Sequence, residues 1–138
     1  MKRILIDTNI VIDLLAKREQ FYQEAAKLFS LADKTKVRLF VSALSFANVN
    51  YVLLKQRKPE ETKQILRKLK LIVGILDLEE KIINLALNDN DFNDFEDALQ
   101  YFSATENNIE IIVTRNIKDF RNSKLLVMTA EQCTKNIK

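Results

Sequence analysis

A three-layer α/β/α sandwich around a parallel sheet of four to five strands is the fold this sequence predicts, and three observations lead to it. Short apolar runs alternate with longer amphipathic segments along the whole chain, the pattern of β-α-β units whose crossovers cover both faces of a sheet. A single Gly and a single Pro among 138 residues leave little material for hairpin turns, which disfavours an antiparallel meander. The apolar runs are continuous, as strands buried on both faces require. At 47% hydrophobic residues the chain can enclose one core, so one domain over residues 1–138 is expected.

In chain order, Ile4, Leu5 and Ile6 form the first strand, with Asp7 at its end and Thr8 and Asn9 placed to cap a helix from Ile10. Phe21, Ala25, Leu28, Phe29 and Ala32 recur at helical spacing, which predicts an amphipathic helix over residues 20–33. Residues 37–41 read as the second strand. Ser42 and Ser45 then offer caps for a helix whose apolar side runs Leu44, Ala47, Tyr51 and Leu54.

Pro59 followed by Glu60 and Glu61 opens another helix, because proline fits the first turn and acids complement the dipole there. Its stripe is Ile65, Leu66 and Leu69, and it should end near Leu71. Residues 71–78 are expected to be the third strand, with Gly74 marking a bulge or a close backbone approach. A helix over 79–87 follows, and then the polar segment 88–95. Residues 94–106 should be helical with Phe95, Ala98, Leu99 and Phe102 inward. Strands over 109–113 and 125–128 come next, and Thr129 caps a terminal helix.

Histidine is absent, which removes Ser-His-Asp and Cys-His triads, histidine acid–base pairs and His-ligated zinc together. Cys133 is the only cysteine, so there is no cysteine cluster and no internal disulfide. With no signal peptide and no apolar run of spanning length, a reducing cytoplasm and no membrane partner are expected. Neither a G-x-x-x-x-G-K nor a G-x-G-x-x-G stretch is present to cradle phosphates. What remains for chemistry is carboxylates, amides, hydroxyls and basic side chains, and such oxygen ligands suit Mg²⁺ or Mn²⁺. The net charge of +3 neither demands nor excludes a nucleic-acid partner.

Open parallel sheets collect ligands at the carboxyl ends of their strands, which makes Asp7 a site candidate, although it would serve as well in a cap or turn. Asp94 and Asp97 are three apart at a helix start, where a capping arrangement alone would explain them. A helix N-terminus also helps neighbouring carboxylates stay ionised together. Asn116 and Asp119 follow another strand end, beside Arg115 and Lys118, which are placed to touch a phosphate or to sit in solvent. Lys63, Arg67 and Lys70 share a helix face, with Lys55, Arg57 and Lys58 just before it. A solvated face explains them, and RNA or partner contact is the alternative.

Three segments together carry a resemblance. The opening Ile6-Asp7-Thr8-Asn9, the segment Phe95-Glu96-Asp97-Ala98-Leu99-Gln100 and the ending Thr114-Arg115-Asn116 with Asp119-Phe120 resemble, in order and spacing, the PIN-domain family, whose bacterial members include VapC-like toxins. The similarity runs nearly end to end. It implies a metal-dependent ribonuclease in which acids hold one or two Mg²⁺ or Mn²⁺ ions for in-line hydrolysis of RNA. Asp7 and Asp97 match catalytic ligand positions, Asp94 is a neighbour in the same cluster, and Asn116 and Asp119 occupy the region of the last acid. Thr8, Thr114 and Arg115 are the expected phosphate or RNA contacts. The resemblance further implies a small antitoxin protein as partner and a homodimer.

One departure matters. The helix after the second strand carries an acid in the family, and the matching residue here is Asn48, in Ser42-Ala43-Leu44-Ser45-Phe46-Ala47-Asn48. Asn116 likewise stands where many relatives have Asp. Both amides are possible ligands without charge, so weakened metal binding is expected, and a PIN-fold module that binds RNA or protein without cutting is the alternative. A phosphohydrolase of the haloacid dehalogenase type is disfavoured, because Asn9 stands where that chemistry needs a second Asp able to donate and recover a proton.

Overall fold

The computed structural model describes residues 1–137. Strand β1 (Lys2–Ile6) lies at the centre of a five-stranded, all-parallel sheet with β2 (Val37–Ser42), β3 (Gly74–Leu76), β4 (Ile111–Val113) and β5 (Leu126–Met128), in the order β3-β2-β1-β4-β5. The expected α/β/α sandwich is the fold observed.

Pleating sorts the strand residues into two cores. Ile4 and Ile6, Val37, Leu39 and Val41, and Ile111 and Val113 point to one face, whereas Leu5, Phe40 and Ile112 between them point to the other. The first face is covered by helices α1 (Thr8–Leu15), α2 (Tyr22–Asp33), α3 (Ala43–Leu53), α4 (Pro59–Ile72) and α7 (Ala130–Asn136). The second face lies under α6 (Phe95–Thr105), which α5 (Glu80–Leu87) flanks. Ile4, Leu5 and Ile6 have no solvent exposure, as expected of a central parallel strand.

Several boundaries differ from the sequence expectation. Helix α1 begins at Thr8, two residues early, because Asp7 itself is the N-cap: its backbone is extended and its carboxylate accepts from the Thr8 N–H. Helix α2 begins at Tyr22 and not at residue 20. Helix α4 runs on to Ile72, so the third strand shrinks from residues 71–78 to Gly74–Leu76, and Leu71 is 85% exposed. Gly74 makes the close approach expected of it, since a Cβ there would stand 2.7 Å from the ring of Phe40, its partner in the ladder. The fourth strand starts at Ile111 and not at residue 109.

The inner face of α3 is also rotated from expectation. Ser45, Val49 and Leu53 are buried, while Tyr51 and Leu54 face solvent. A hydroxyl in the interior explains the turn, because Ser45 has buried polar partners on other elements. Phe95, expected inward, is 44% exposed at the first position of α6. With one glycine in the chain, the left-handed positions after α1, α2 and α6 fall to Lys17, Thr35 and Asn108. No helix among the described residues is long and apolar enough to cross a membrane.

Candidate active site

The carboxyl ends of β1 and β4 are adjacent strand termini, and they bring the first part of the site together. The backbone N–H of Asp7 donates to the Val113 carbonyl at 2.9 Å, continuing the ladder one residue past β1. The Asp7 carboxylate then accepts from two sides, from the Thr8 N–H at Oδ1 and the Thr114 hydroxyl at Oδ2, both at 2.8 Å. Thr114 is wholly buried, and its Oγ1 also accepts the Asn116 N–H at 3.0 Å. Burial pushes the Asp7 carboxyl above its ordinary value, and the charge of Asp119 adds to this, while its two hydrogen bonds and Arg115 oppose it.

Helix α6 supplies the second part. Asp94 caps it through the Glu96 N–H at 3.3 Å, and Asp97 follows in the first turn. Asp94, Asp97 and Asp119, the last from a 3-10 turn over Ile117–Phe120, line one cleft of about 290 Å³ with Lys118 and Arg121 beside them. Burial first, then the charges of Asp94, Asp119 and Asp7 and a hydrogen bond with Asp94, push the Asp97 carboxyl up to about 7. Four acids from the end of β1, the start of α6 and the turn after β4 thus act on one another.

Not every expected residue joins them. Asp7 does not line the cleft itself and reaches its acids through charge alone, while Asn116 is exposed and outside its walls. Asn48 is half-buried on α3, one turn beyond Ser45. Arg115, expected at a phosphate, is engaged elsewhere: its Nε stands 3.0 Å from Asp13 Oδ2, and its guanidinium lies over the Phe21 ring at 4.0 Å. Among the described residues no three acidic, cysteine or histidine side chains are gathered tightly enough to hold one ion. The donor set nonetheless suits a hard cation in kind, being all oxygen, and mutual repulsion among its carboxylates is what a divalent charge relieves.

Three residues near the site carry roles that the sequence reading left out. Ser45 Oγ lies 2.7 Å from Thr8 Oγ1, accepts from Gln100 Nε2 at 2.7 Å and from Ser42 Oγ at 3.2 Å. Ser45 and Gln100 are buried, so this network pins α3 and α6 to the start of α1 beneath the acids. Asp13 is the third. Its side chain is 1% exposed and faces Arg115 and Arg18; burial pushes its carboxyl up while the two cations pull it back. A charged residue on the apolar run Ile10-Val11-Ile12 was the available signal.

A fold with this strand order, carrying acids at the strand ends and at the start of α6, agrees with a profile of the PIN domain, which matches residues 3–118. The chain belongs to the PIN-domain family. It is similar to Ribonuclease VapC1 of Aquifex aeolicus (strain VF5), with 28% identity over 95% of this chain and 92% of that protein. Among solved structures it resembles VapBC-1 from nontypeable Haemophilus influenzae, at 19% identity, a TM-score of 0.67 and coverage of 94% and 98% of the two chains. A toxin-antitoxin complex from Klebsiella pneumoniae is also similar, at 23% identity, a TM-score of 0.67 and coverage of 92% and 97%.

Proposed function

We propose that this protein is a metal-dependent ribonuclease that hydrolyses RNA phosphodiesters and serves as the toxin of a toxin–antitoxin pair. The observation that carries this reading is the gathering of Asp94, Asp97 and Asp119, from the start of α6 and the turn after β4, on one cleft, where burial first and then the neighbouring acids raise the Asp97 carboxyl. Acids distant in sequence but close enough to oppose each other's ionisation mark a place prepared for a cation. Membership of the PIN-domain family supports it, as does the similarity to a ribonuclease over most of both chains.

In this reading Asp7, Asp94, Asp97 and Asp119 would hold one or two Mg²⁺ or Mn²⁺ ions, with the half-buried Asn48 as a weaker neutral donor and Asn116 left outside. Such ions, when bound, activate water and offset charge on the phosphate. The chain's own residues do the rest. Thr114 and the Thr8 N–H fix the direction of both Asp7 oxygens. Lys118 and Arg121, on the cleft wall, are placed to offset phosphate charge. Thr8 and Thr114 flank Asp7, but the Thr114 hydroxyl is wholly buried and acts through the Asp7 carboxylate, the Thr8 hydroxyl is taken by Ser45, and Arg115 is held by Asp13. The resemblance to toxin-antitoxin structures supports a small antitoxin as partner; a homodimer in a cytoplasmic setting completes the proposal.

A second reading, a PIN-fold module that binds RNA or protein without cutting it, is favoured by the two amides and by the loose spacing of the acids. One experiment separates them. Cleavage of single-stranded RNA is measured across Mn²⁺ concentrations for the wild type and Asp97→Asn, with Mn²⁺ binding followed by calorimetry. The nuclease reading expects metal-dependent cleavage that the substitution abolishes. Metal or RNA binding without cleavage at any Mn²⁺ concentration would support the second reading and end the first. The toxin role is tested by growth arrest on expression and its relief by the product of a neighbouring small reading frame.

A further inference from the structure

Helix α1 touches the turn after β4 at two points, at its cap and in its second half. At its cap, Asp7 takes the Thr114 hydroxyl. Six residues on, about 9 Å along a helix axis, Asp13 takes the neighbouring Arg115 at 3.0 Å on one carboxylate oxygen and Arg18 at 3.6 Å on the other. The Arg115 guanidinium is stacked on Phe21. Successive residues of one turn are therefore held by two acids, one capping α1 and one within it.

Stability does not account for Asp13. A buried ion pair rarely outdoes well-packed apolar side chains of the same volume, and the neighbours of Asp13 on α1, Ile10, Val11 and Ile12, are all core residues. The pairing is also off-axis, since neither Asp13 oxygen nor Arg115 Nε makes a well-directed hydrogen bond within the protein. What the pair does achieve is placement. Arg115 is pulled away from the cleft, between Thr114, which bridges Asp7 and the Asn116 N–H, and Asn116, which opens the turn bearing Asp119.

We infer that Asp13 is a positioning residue: by anchoring Arg115 on Phe21 it holds the Thr114–Asn116 turn against Asp7 and so sets the spacing of Asp7 and Asp119. Its effect on catalysis rests on the nuclease reading above, whereas its effect on the turn does not.

The test compares the wild type, Asp13→Asn, Arg115→Gln and Asp7→Asn by amide hydrogen exchange and by RNA cleavage at saturating Mn²⁺. Arg115→Gln leaves Asp13 its Arg18 contact, so it decides the matter if Asp13→Asn fails to fold. In both variants exchange over residues 114–120 should rise by about tenfold or more while α2 and α6 keep their protection. The kcat should fall by about ten- to a hundred-fold, the usual effect of losing a residue that orients a ligand, with KM unchanged. Unaltered exchange in the turn overturns the inference. A rise in KM alone overturns it too, because Arg115 would then be binding RNA directly. If the wild type and Asp7→Asn are equally inert toward RNA, the nuclease reading fails, and the exchange result still decides whether Asp13 holds the turn.

Discussion

Thr114 Oγ1 donates to Asp7 Oδ2 across 2.8 Å, joining two strand ends that are 107 residues apart in the chain. That hydroxyl has no exposure and serves Asn116 as well, so two polar groups depend on it.

Thr114→Val keeps the shape and removes the donor. The Asp7 oxygen and the Asn116 N–H both lose their partner, and the loss of a hydrogen bond to a charged group costs about 1.5–3 kcal/mol. Urea unfolding at neutral pH should show a fall of that size. A change below about 0.5 kcal/mol would mean that solvent replaces the hydroxyl freely.

Asp97 makes the metal-free protein respond to pH in an unusual direction. Its carboxyl stands near 7 in the folded chain against 3.8 for a free aspartate, so the folded state keeps a proton that the unfolded state has released. Stability from this group is therefore greatest below about pH 4, falls as pH rises to 7, and is level above that. Asp97→Asn should be no less stable than the wild type at pH 7.5, and its advantage should shrink toward pH 4.5. Paired urea melts at the two pH values check this; a variant that is less stable at pH 7.5 would show that attraction to Asp97 outweighs its burial and the charges around it.

Asn48→Asp adds a charge where the resemblance implies an acid, at nearly constant volume. If Asn48 faces the acids from α3, Mn²⁺ affinity measured by calorimetry should rise about ten- to a hundred-fold. Cleavage at limiting Mn²⁺ should rise with it, and the double variant with Asp7→Asn should not cut. Unchanged affinity would remove Asn48 from the site.

Thr35 has φ 57° at the end of α2, a region that a β-branched residue enters at a cost of about 1–2 kcal/mol. Thr35→Gly relieves that strain and loses some of the gain to backbone entropy, so a net stabilisation of about 0.5–1 kcal/mol is expected. Thermal melts should show a rise of a few degrees. A decrease would mean that the Thr35 hydroxyl, which donates to the Lys34 carbonyl, matters more than the backbone.

The central strands were legible because a run such as Ile4-Leu5-Ile6 has no other comfortable place than a sheet covered on both sides. The third strand was overdrawn because Leu71 and Ile72, apolar in the sequence, complete α4 and stand in solvent. Helix α3 was rotated for a similar reason, since periodicity counts Tyr51 as apolar and Ser45 as polar, whereas the interior needs the Ser45 hydroxyl. Around the cleft, acids beside strand ends and helix starts were readable, because local geometry alone makes those places attractive to charge. Asp13, Ser45 and Gln100 were not, because each has a deciding partner 37 to 102 residues away: Thr8 for Ser45, Ser45 for Gln100 and Arg115 for Asp13. Spacing within a helix says which residues share a face, and nothing about what that face meets.

Strand order has a consequence for the time at which the cleft comes into being. β1 is made before β2 and β3, yet it also pairs with β4, which is made after both and whose own partner β5 comes later still. Until β4 docks, Asp7 has neither the Thr114 hydroxyl nor the Asp119 carboxylate near it, and closing so long a loop is among the slower events in folding. A ribosome part-way through this message thus carries a chain with half a sheet and no cleft. Whatever chemistry the acids perform, the cell meets it only once β4 and the turn after it have been made and docked, and a chain broken off before residue 111 never acquires it.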